Sequence, residues 1–399
     1  MLKRLLGISV ILVLLAACSD ADENPASPPV VVIKEIVVTA TPTPVPTKTP
    51  APKPTPATEV LIDPSRTDLM GDLRNKALEQ INRYRKDYGV PPVKLGNNPS
   101  AQIHADDSIA NHYMGHWTTD GLKPYMIYTQ AGGTGFVGEN AGAWWTEDCK
   151  GVKEGDPRLK RCSYLHESDM ALFTSVFDLQ YGMMFDDAHA DWGHRDNIVN
   201  PLWNTVNIGI SYNTYSLYLY QHFEYVGVEY PNIPSITNGK LSFTAKLPSG
   251  HSLSEIWVYH DPIPTDLPPE AIDYMPFYCT GGGFTSDCEN IWEIAVIIPK
   301  PDDSFKIPDF NYEDIFTLTE SWTTIGNEVY VEVDISKQMK GNGVYTIELV
   351  SGSGWLDVLS SPDFYDHAEN DDEETFTEWI IQEFPSDIIS TYSIWIDST

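Results

Sequence analysis

Positive charge is scarce in this 399-residue chain, which sets 25 lysines and arginines against 57 aspartates and glutamates for a formal net charge of −32 at pH 7. No lysine or arginine follows Lys340. That balance excludes phosphate-backbone binding by the chain as a whole, and with it nucleic acid as a partner. Long hydrophobic runs are missing too: the apolar stretch Leu5–Ala17 has about 13 residues, short of the roughly 20 that span a bilayer. There is no His-Glu-x-x-His, no Gly-x-Ser-x-Gly, no Cys-x-x-Cys and no internal repeat. These absences remove the zincin arrangement and the nucleophile elbow of α/β hydrolases. Cysteine is sparse and odd in number, at five.

What is there begins at the N-terminus. Lys3 and Arg4 precede the apolar run, which ends Leu15-Ala16-Ala17-Cys18. The pattern predicts a secretory signal over residues 1–17. Its end resembles the bacterial lipobox, which implies cleavage before Cys18, lipidation of that cysteine and a lipid membrane as partner; several acyl chains anchor durably where one is marginal. An ordinary cleaved signal with Cys18 incidental is the competing reading. Setting Cys18 aside leaves Cys149, Cys162, Cys279 and Cys288 in an export context that permits disulfides. Of the three possible connectivities, pairing by neighbourhood is preferred: Cys149 with Cys162 across a charged insertion, and Cys279 with Cys288 across CTGGGFTSDC. A zinc site is the alternative.

Residues 18–62 hold TATPTPVPTKTPAPKPTPAT, a Pro/Thr alternation without an apolar face, which predicts a solvated stalk. At roughly 3.1 Å per residue, some 40 residues reach on the order of 100 Å. From Asp63 the pattern becomes helical, with Leu69, Leu73, Leu78, Ile81 and Tyr84 at three- to five-residue steps. Further helices are expected over Ser100–Met114 and Met170–Met184, then a hairpin of Thr205–Tyr212 and Leu217–Tyr225. Beyond Pro231 the period is two or the runs are apolar, at 241–247, 254–260, 292–298, 315–322, 328–335 and 344–350, with a closing strand at 392–396. The expected fold class is α+β: a mixed domain over 63–231 and an acidic, all-β, sandwich-like domain over 235–399. The acidity belongs mostly to the second, with 6 basic residues against 30 acidic ones from residue 232 onward, compared with 14 against 22 in residues 63–231.

Seven of the ten histidines lie between His104 and His222. His116 stands in GHWTTDG, Glu139 in Gly138-Glu139-Asn140, and His194 in WGHRDNIVNPLWNTVNIGI. In this order and spacing, with an opening LRNKALEQINRYRKDYGVPPV and a final YLYQHFEY strand, residues 69–230 resemble the CAP superfamily in its bacterial form, the domain shared by cysteine-rich secretory proteins, venom antigens and class 1 pathogenesis-related proteins. The resemblance implies an α-β-α sandwich in which two histidines and two acidic residues converge on one cleft that in some members binds zinc or another divalent ion. His116, Glu139 and His194 map onto three of the four. The fourth falls in MMFDDAHADWGH, where Asp187 is chosen, Asp186 is the close alternative and Asp191 the more remote, with His189 a further candidate ligand. Neutral imidazoles and a carboxylate suit one divalent ion, zinc favoured. The competing view is a hydrogen-bonded network that fixes three chain segments, a role in which Asn140 and Arg195 would also fit.

Other features are read more plainly. His112 and His116 form an HxxxH pair assigned to surface or packing. Gly133–Gly138 fits GxGxxG but leads into no helix, and is taken as a flexible loop beside the cleft. The acidic run near Asp371 lacks calcium-loop spacing. Trp117, Trp144, Trp145, Trp192 and Trp203 either line a groove or, for most of them, fill the core. The leading expectation is a surface or periplasmic, lipid-anchored binding protein for a small-molecule, lipid, glycan or protein ligand. A metal-dependent envelope hydrolase or protease, with Glu139 as its catalytic residue, is the second reading, and an adhesive β-domain with a silent cleft the third.

Overall fold

The computed structural model describes residues 69–145, 168–213, 215–275, 277–285, 288, 291–301, 313, 315–361, 375, 379 and 386–397. The signal, Cys18, the stalk, Cys149, Cys162 and the acidic run near Asp371 lie outside the described residues. In chain order the elements are α1 (Leu69–Asp87), β1 (Lys94–Leu95), α2 (Ser100–Asn111), α3 (Pro124–Gln130), β2 (Phe136–Trp145), α4 (Asp169–Phe185), α5 (Gly193–Val199), β3 (Thr205–Tyr212) and β4 (Ser216–Tyr225). They continue with β5 (Glu229–Thr237), β6 (Lys240–Lys246), β7 (Leu253–Asp261), α6 (Pro269–Ile272), β8 (Ala295–Pro299), β9 (Thr317–Thr319), β10 (Ser321–Ile325), β11 (Glu328–Asp334), β12 (Gly343–Gly352), α7 (Trp355–Ser360) and β13 (Ser386–Ile396).

The N-terminal unit is a three-layer α-β-α sandwich around a sheet ordered β1-β3-β4-β2, parallel only between β1 and β3. Period-two alternation divides that sheet. Val206, Ile208 and Ile210 of β3, with Leu217, Leu219 and Phe223 of β4, pack on α1 and α4. Tyr218 and Tyr220 of β4 and Ala141 of β2 face α2 through Ala101, Ala105 and Ile109. Helix α1 forms because Leu69, Leu73, Ala77, Ile81 and Tyr84 recur on one buried stripe. Helix α2 stops at Asn111, three residues before the expected Met114, because His112 takes a left-handed conformation at φ 59° and its N–H closes on Ser108 O. The stretch expected as a loop at Gly133–Gly138 is corrected in part: strand β2 starts at Phe136, so Gly138-Glu139-Asn140 sits on a paired edge strand. Its period-two signal is masked because Gly138, Asn140 and Gly142, and not bulky apolar residues, occupy the side that meets α4 and α5.

The C-terminal unit is a sandwich of an antiparallel sheet, β10-β11-β6-β5, on a mixed sheet, β13-β12-β7-β8-β9. Leu241, Phe243, Val329 and Val331 from one sheet meet Ile256, Val258, Ile347 and Leu349 from the other. The expected strand at 315–322 is two short strands, β9 and β10, which lie in different sheets. Strand β5, unexpected because Pro231 and Pro234 interrupt its pattern, runs through residues 232–234, between the expected bounds of the two domains. Its prolines fit an edge strand, whose ladder is broken by two register shifts. Overall the chain is α+β.

The two units share a third apolar core, in which Tyr113, Trp117, Tyr125 and Met126 pack with Ile272, Tyr278 and Val344. At its edge the buried Lys123 Nζ donates to Asp261 Oδ1 at 2.8 Å and to the carbonyls of Cys279 and Gly281, each at 2.6 Å. Tyr125 OH donates to Asp261 Oδ2 at 2.9 Å. A disulfide joins Cys279 to Cys288. Among the described residues no helix is long and apolar enough to cross a membrane.

Candidate functional site

Strand register sets the centre of the site. Glu139 on β2 lies opposite His222 on β4, and both point to the α2 side of the sheet. His222 Nε2 meets Glu139 Oε2 at 2.6 Å, His104 Nδ1 from α2 meets the same oxygen at 2.7 Å, and His116 Nδ1 meets Oε1 at 2.8 Å. The carboxylate is wholly buried, as are His104 and His222, whereas 12% of the His116 side chain is exposed. Burial on its own raises the pKa of Glu139, but the charge of His104 and the hydrogen bonds from all three imidazoles reverse this and hold the group well below the ordinary carboxylate range. His104 stacks on Tyr220 at 4.1 Å between ring centroids, and Tyr220 OH donates to Gly115 O at 3.0 Å. These contacts fix the turn that delivers His116.

His222 Nδ1 also meets Ser100 Oγ at 2.7 Å. The chain Ser100–His222–Glu139 has the components of a hydrolytic triad, yet Ser100 has no exposed surface and the two ring nitrogens are used in the reverse sense. It serves as a structural anchor for α2.

The second cluster lies beyond β2, where α5 begins. Asp191 and Trp192 are both left-handed, at φ 50° and 64°, and this tight turn carries the chain back to Asp187. Asp187 Oδ2 accepts the backbone N–H of His194 at 2.9 Å and of Arg195 at 3.2 Å, and Oδ1 meets His194 Nδ1 at 2.6 Å. Asp187 is buried and 20% of the His194 side chain is exposed. Asp186, His189 and Asp191 are exposed. The Arg195 guanidinium covers the Trp192 ring at 4.1 Å.

The Gly-Glu-Asn sequence joins the clusters. A Cβ on Gly138 would stand 2.9 Å from Asn197 Oδ1 and 3.1 Å from the Trp203 ring, so glycine is what lets α5 lie this close to β2. Asn140 Nδ2 donates to His194 O at 2.9 Å, while Asn197 Nδ2 donates to Asn140 Oδ1 at 3.0 Å and to Glu139 O at 3.3 Å. Arg85 fixes the far end of α5 by donating to the carbonyls of Ile198, Asn200 and Trp203. Its burial lowers its pKa to about 10, which leaves it charged at neutral pH.

Of the four residues singled out from sequence, the structure therefore brings His116 to Glu139 and His194 to Asp187. Among the described residues no hydrogen bond or ion pair joins one couple directly to the other. The histidines the sequence reading passed over are His104 and His222. Their signals were positional: His104 sits on the buried stripe of α2 with Ala101 and Ala105, and His222 keeps the parity of Tyr218 and Tyr220 on β4. Trp117 and Trp203 are core, while Trp144, Trp145 and Trp192 are half-buried.

Two groupings can be tested for a metal. The ligand atoms of His104, Glu139 and His222 lie within 4.8 Å of one another and could hold an ion. Adjacent ligand atoms around tetrahedral zinc stand about 3.3 Å apart, whereas both nitrogens here lie 2.6–2.7 Å from one oxygen, the spacing of shared protons. His116 and His194 offer a different fit. Each commits Nδ1 to a carboxylate and leaves Nε2 without a partner among the described residues. This is the carboxylate–histidine arrangement that fixes the tautomer and raises the basicity of a ligating imidazole.

A family model described as CAP, the cysteine-rich secretory protein family, matches residues 78–230. That segment is a CAP domain, and the match ends where the C-terminal sandwich begins. No curated protein matches the chain. Among solved structures the CAP domain of Enterococcal PrgA is similar at 16% identity and a TM-score of 0.23, over 38% of this chain and 58% of that one. This chain thus spans little more than half of that structure's length.

Proposed function

We propose that the CAP domain at residues 78–230 is an extracytoplasmic binding module, carried on a stalk from a lipid anchor at Cys18, whose outward face consists of His116 Nε2 and His194 Nε2. One observation carries this reading: both partly exposed imidazoles have Nδ1 occupied by a buried carboxylate, at 2.8 Å and 2.6 Å, so both present the other nitrogen. One divalent ion, zinc favoured, suits such a pair, with Glu139 and Asp187 acting as orienting carboxylates. When bound, the ion would supply a Lewis-acid point for an oxygen or nitrogen donor of a small-molecule, lipid, glycan or protein ligand.

Binding is favoured over hydrolysis because Glu139 is shielded from water and both its oxygens are engaged by imidazoles. A general base must reach the proton it removes. The acidity of the chain supports a partner other than nucleic acid.

Zinc titration by calorimetry tests the reading. One ion per chain is expected, with affinity lowered at least about tenfold in His116→Ala or His194→Ala. Occupancy should fall as pH drops through about 6.5, where free imidazole protonates. A chain that takes up no divalent ion, and whose melting temperature ignores added zinc, would sink it. Turnover of a peptide or cell-wall panel that Glu139→Gln abolishes would restore the hydrolase reading.

A further inference from the structure

The C-terminal unit does not merely follow the CAP domain. Residues 262–275 and 277–285, in the excursion that leaves β7 at Asp261, lie against the turn that carries His116. Met114 N–H donates to Asp273 Oδ1 at 3.0 Å, and Leu267 N–H donates to Thr119 O at 2.7 Å, so the turn is gripped on both sides of the histidine. Gly115 has no room for a side chain, since a Cβ there would stand 2.6 Å from Ile272. The Tyr278 ring lies 5.3 Å from the His116 ring at 51°, and is itself buried against Trp117 and Tyr125. The residue after Tyr278 is Cys279, which is held twice, by its disulfide to Cys288 and by Lys123 at its carbonyl.

We infer that the cleft is built from both units: the C-terminal sandwich supplies its His116 wall, and Tyr278 is a positioning residue that sets the plane of the His116 ring and so the direction of Nε2. Glu139 holds one nitrogen of the ring through a single hydrogen bond, which still tolerates some tilt of the ring plane. A ring packed at an angle on one face removes the remaining freedom. The Tyr278 ring also packs on that flank of the imidazole, of whose side chain 12% stays exposed. An incoming ligand therefore approaches away from the Tyr278 flank. The second unit thereby acquires a task at the site, in place of free adhesion. The inference rests on the reading in which His116 Nε2 faces the ligand.

The test uses the full chain with Tyr278→Leu, Tyr278→Phe and Leu267→Ala, the last loosening the same contact away from His116. Two readouts are taken: the His116 ring resonances at fixed pH without metal, and zinc affinity. Tyr278→Leu should shift and broaden or split the His116 signals and lower zinc affinity about tenfold, while Tyr278→Phe, which keeps the ring, should preserve both. Leu267→Ala, which keeps the backbone N–H that bonds Thr119 O, should lower the melting temperature and leave both readouts unchanged. In the unmodified chain a cross-relaxation signal should join the His116 and Tyr278 rings, and this check does not need any variant to fold. Absence of that signal, unmoved His116 resonances in Tyr278→Leu, or an equal change in Leu267→Ala would overturn the inference. If the unmodified chain takes up no zinc while Tyr278→Leu still moves the His116 ring, the metal reading fails and the shared wall stands.

Discussion

Glu139 in the CAP domain and Glu348 in the C-terminal sandwich are both shut away from water, and their surroundings differ: three imidazoles meet the first, while the second lies near another carboxylate, Glu293. Glu139 is driven well below the ordinary carboxylate range and is ionised. Glu348 is pushed well above it by burial and by the nearby Glu293, against a hydrogen bond from Thr280, and its Oε1 has no hydrogen-bond partner among the described residues. Glu255, also buried in the sandwich, is raised to about 7 mainly by burial, despite bonds from the Trp355 backbone and the Trp257 indole. A buried acid is thus held in its charged form where imidazoles converge on it, and is pushed toward its neutral form where burial acts without such partners. In the CAP domain Glu224 is also raised, by burial, although it accepts from Tyr128 and Asn207 and lies near His222 and Lys94, so the direction follows local partners and not the unit as a whole.

The largest effect is expected at the boundary between the units, where Asp261 has a true counter-ion. Lys123→Ala would leave Asp261 buried without its cation and should destabilise the protein by about 3–5 kcal/mol, read by chemical denaturation. Adding Asp261→Leu to Lys123→Met should recover most of the loss, because a buried pair replaced by apolar residues is often neutral. If Lys123→Ala unfolds no more easily than the parent, charge compensation does not hold the units together.

Next comes the same chemical change made in both settings. Glu139→Gln removes the charge from three imidazoles and should cost about 2–3 kcal/mol, since buried polar groups are left poorly paired. Glu348→Gln replaces a neutral acid by an isosteric amide and should change stability by less than about 1 kcal/mol at pH 7. Equal losses would erase the comparison.

The smallest effect is in pH dependence. The folded pKa of Glu139 lies below its ordinary 4.5, so its stabilisation is complete above pH 4.5 and disappears as the pH falls below that value. Glu255 behaves the other way: its contribution is complete below pH 4.5 and lost as the pH rises through about 7. Melting temperature followed from pH 3 to 9 should therefore fall toward the acid end through Glu139 and decline between pH 4.5 and about 7 through Glu255, and Glu255→Gln should flatten only the second decline.

Much of this was legible in the sequence, and the rest was hidden for identifiable reasons. The β3–β4 hairpin follows from period-two alternation, and α1 from its apolar stripe. The GEN and HRDNIVNP segments mark Glu139, His194 and the asparagines that join them. Strand β2 was obscured because its positions facing α4 and α5 are Gly138, Asn140 and Gly142, suited to close approach and bridging and not to apolar bulk. His104 and His222 escaped notice because each stands alone on the buried face of its own element, outside the GEN and HRDNIVNP segments; only the pairing of β2 with β4 and the packing of α2 on their face put them on one carboxylate. The contact of Tyr278 with His116 joins residues 162 positions apart, across a shared core that no local pattern announces.

The separation of roles between the outer and buried histidines can be read most directly by cadmium-113 NMR of the chain with nitrogen-15-labelled histidine. One bound ion coupled to Nε2 of both His116 and His194, with no coupling to His104 or His222, is the result expected. Coupling to His104 and His222, or no bound ion at all, would contradict the account.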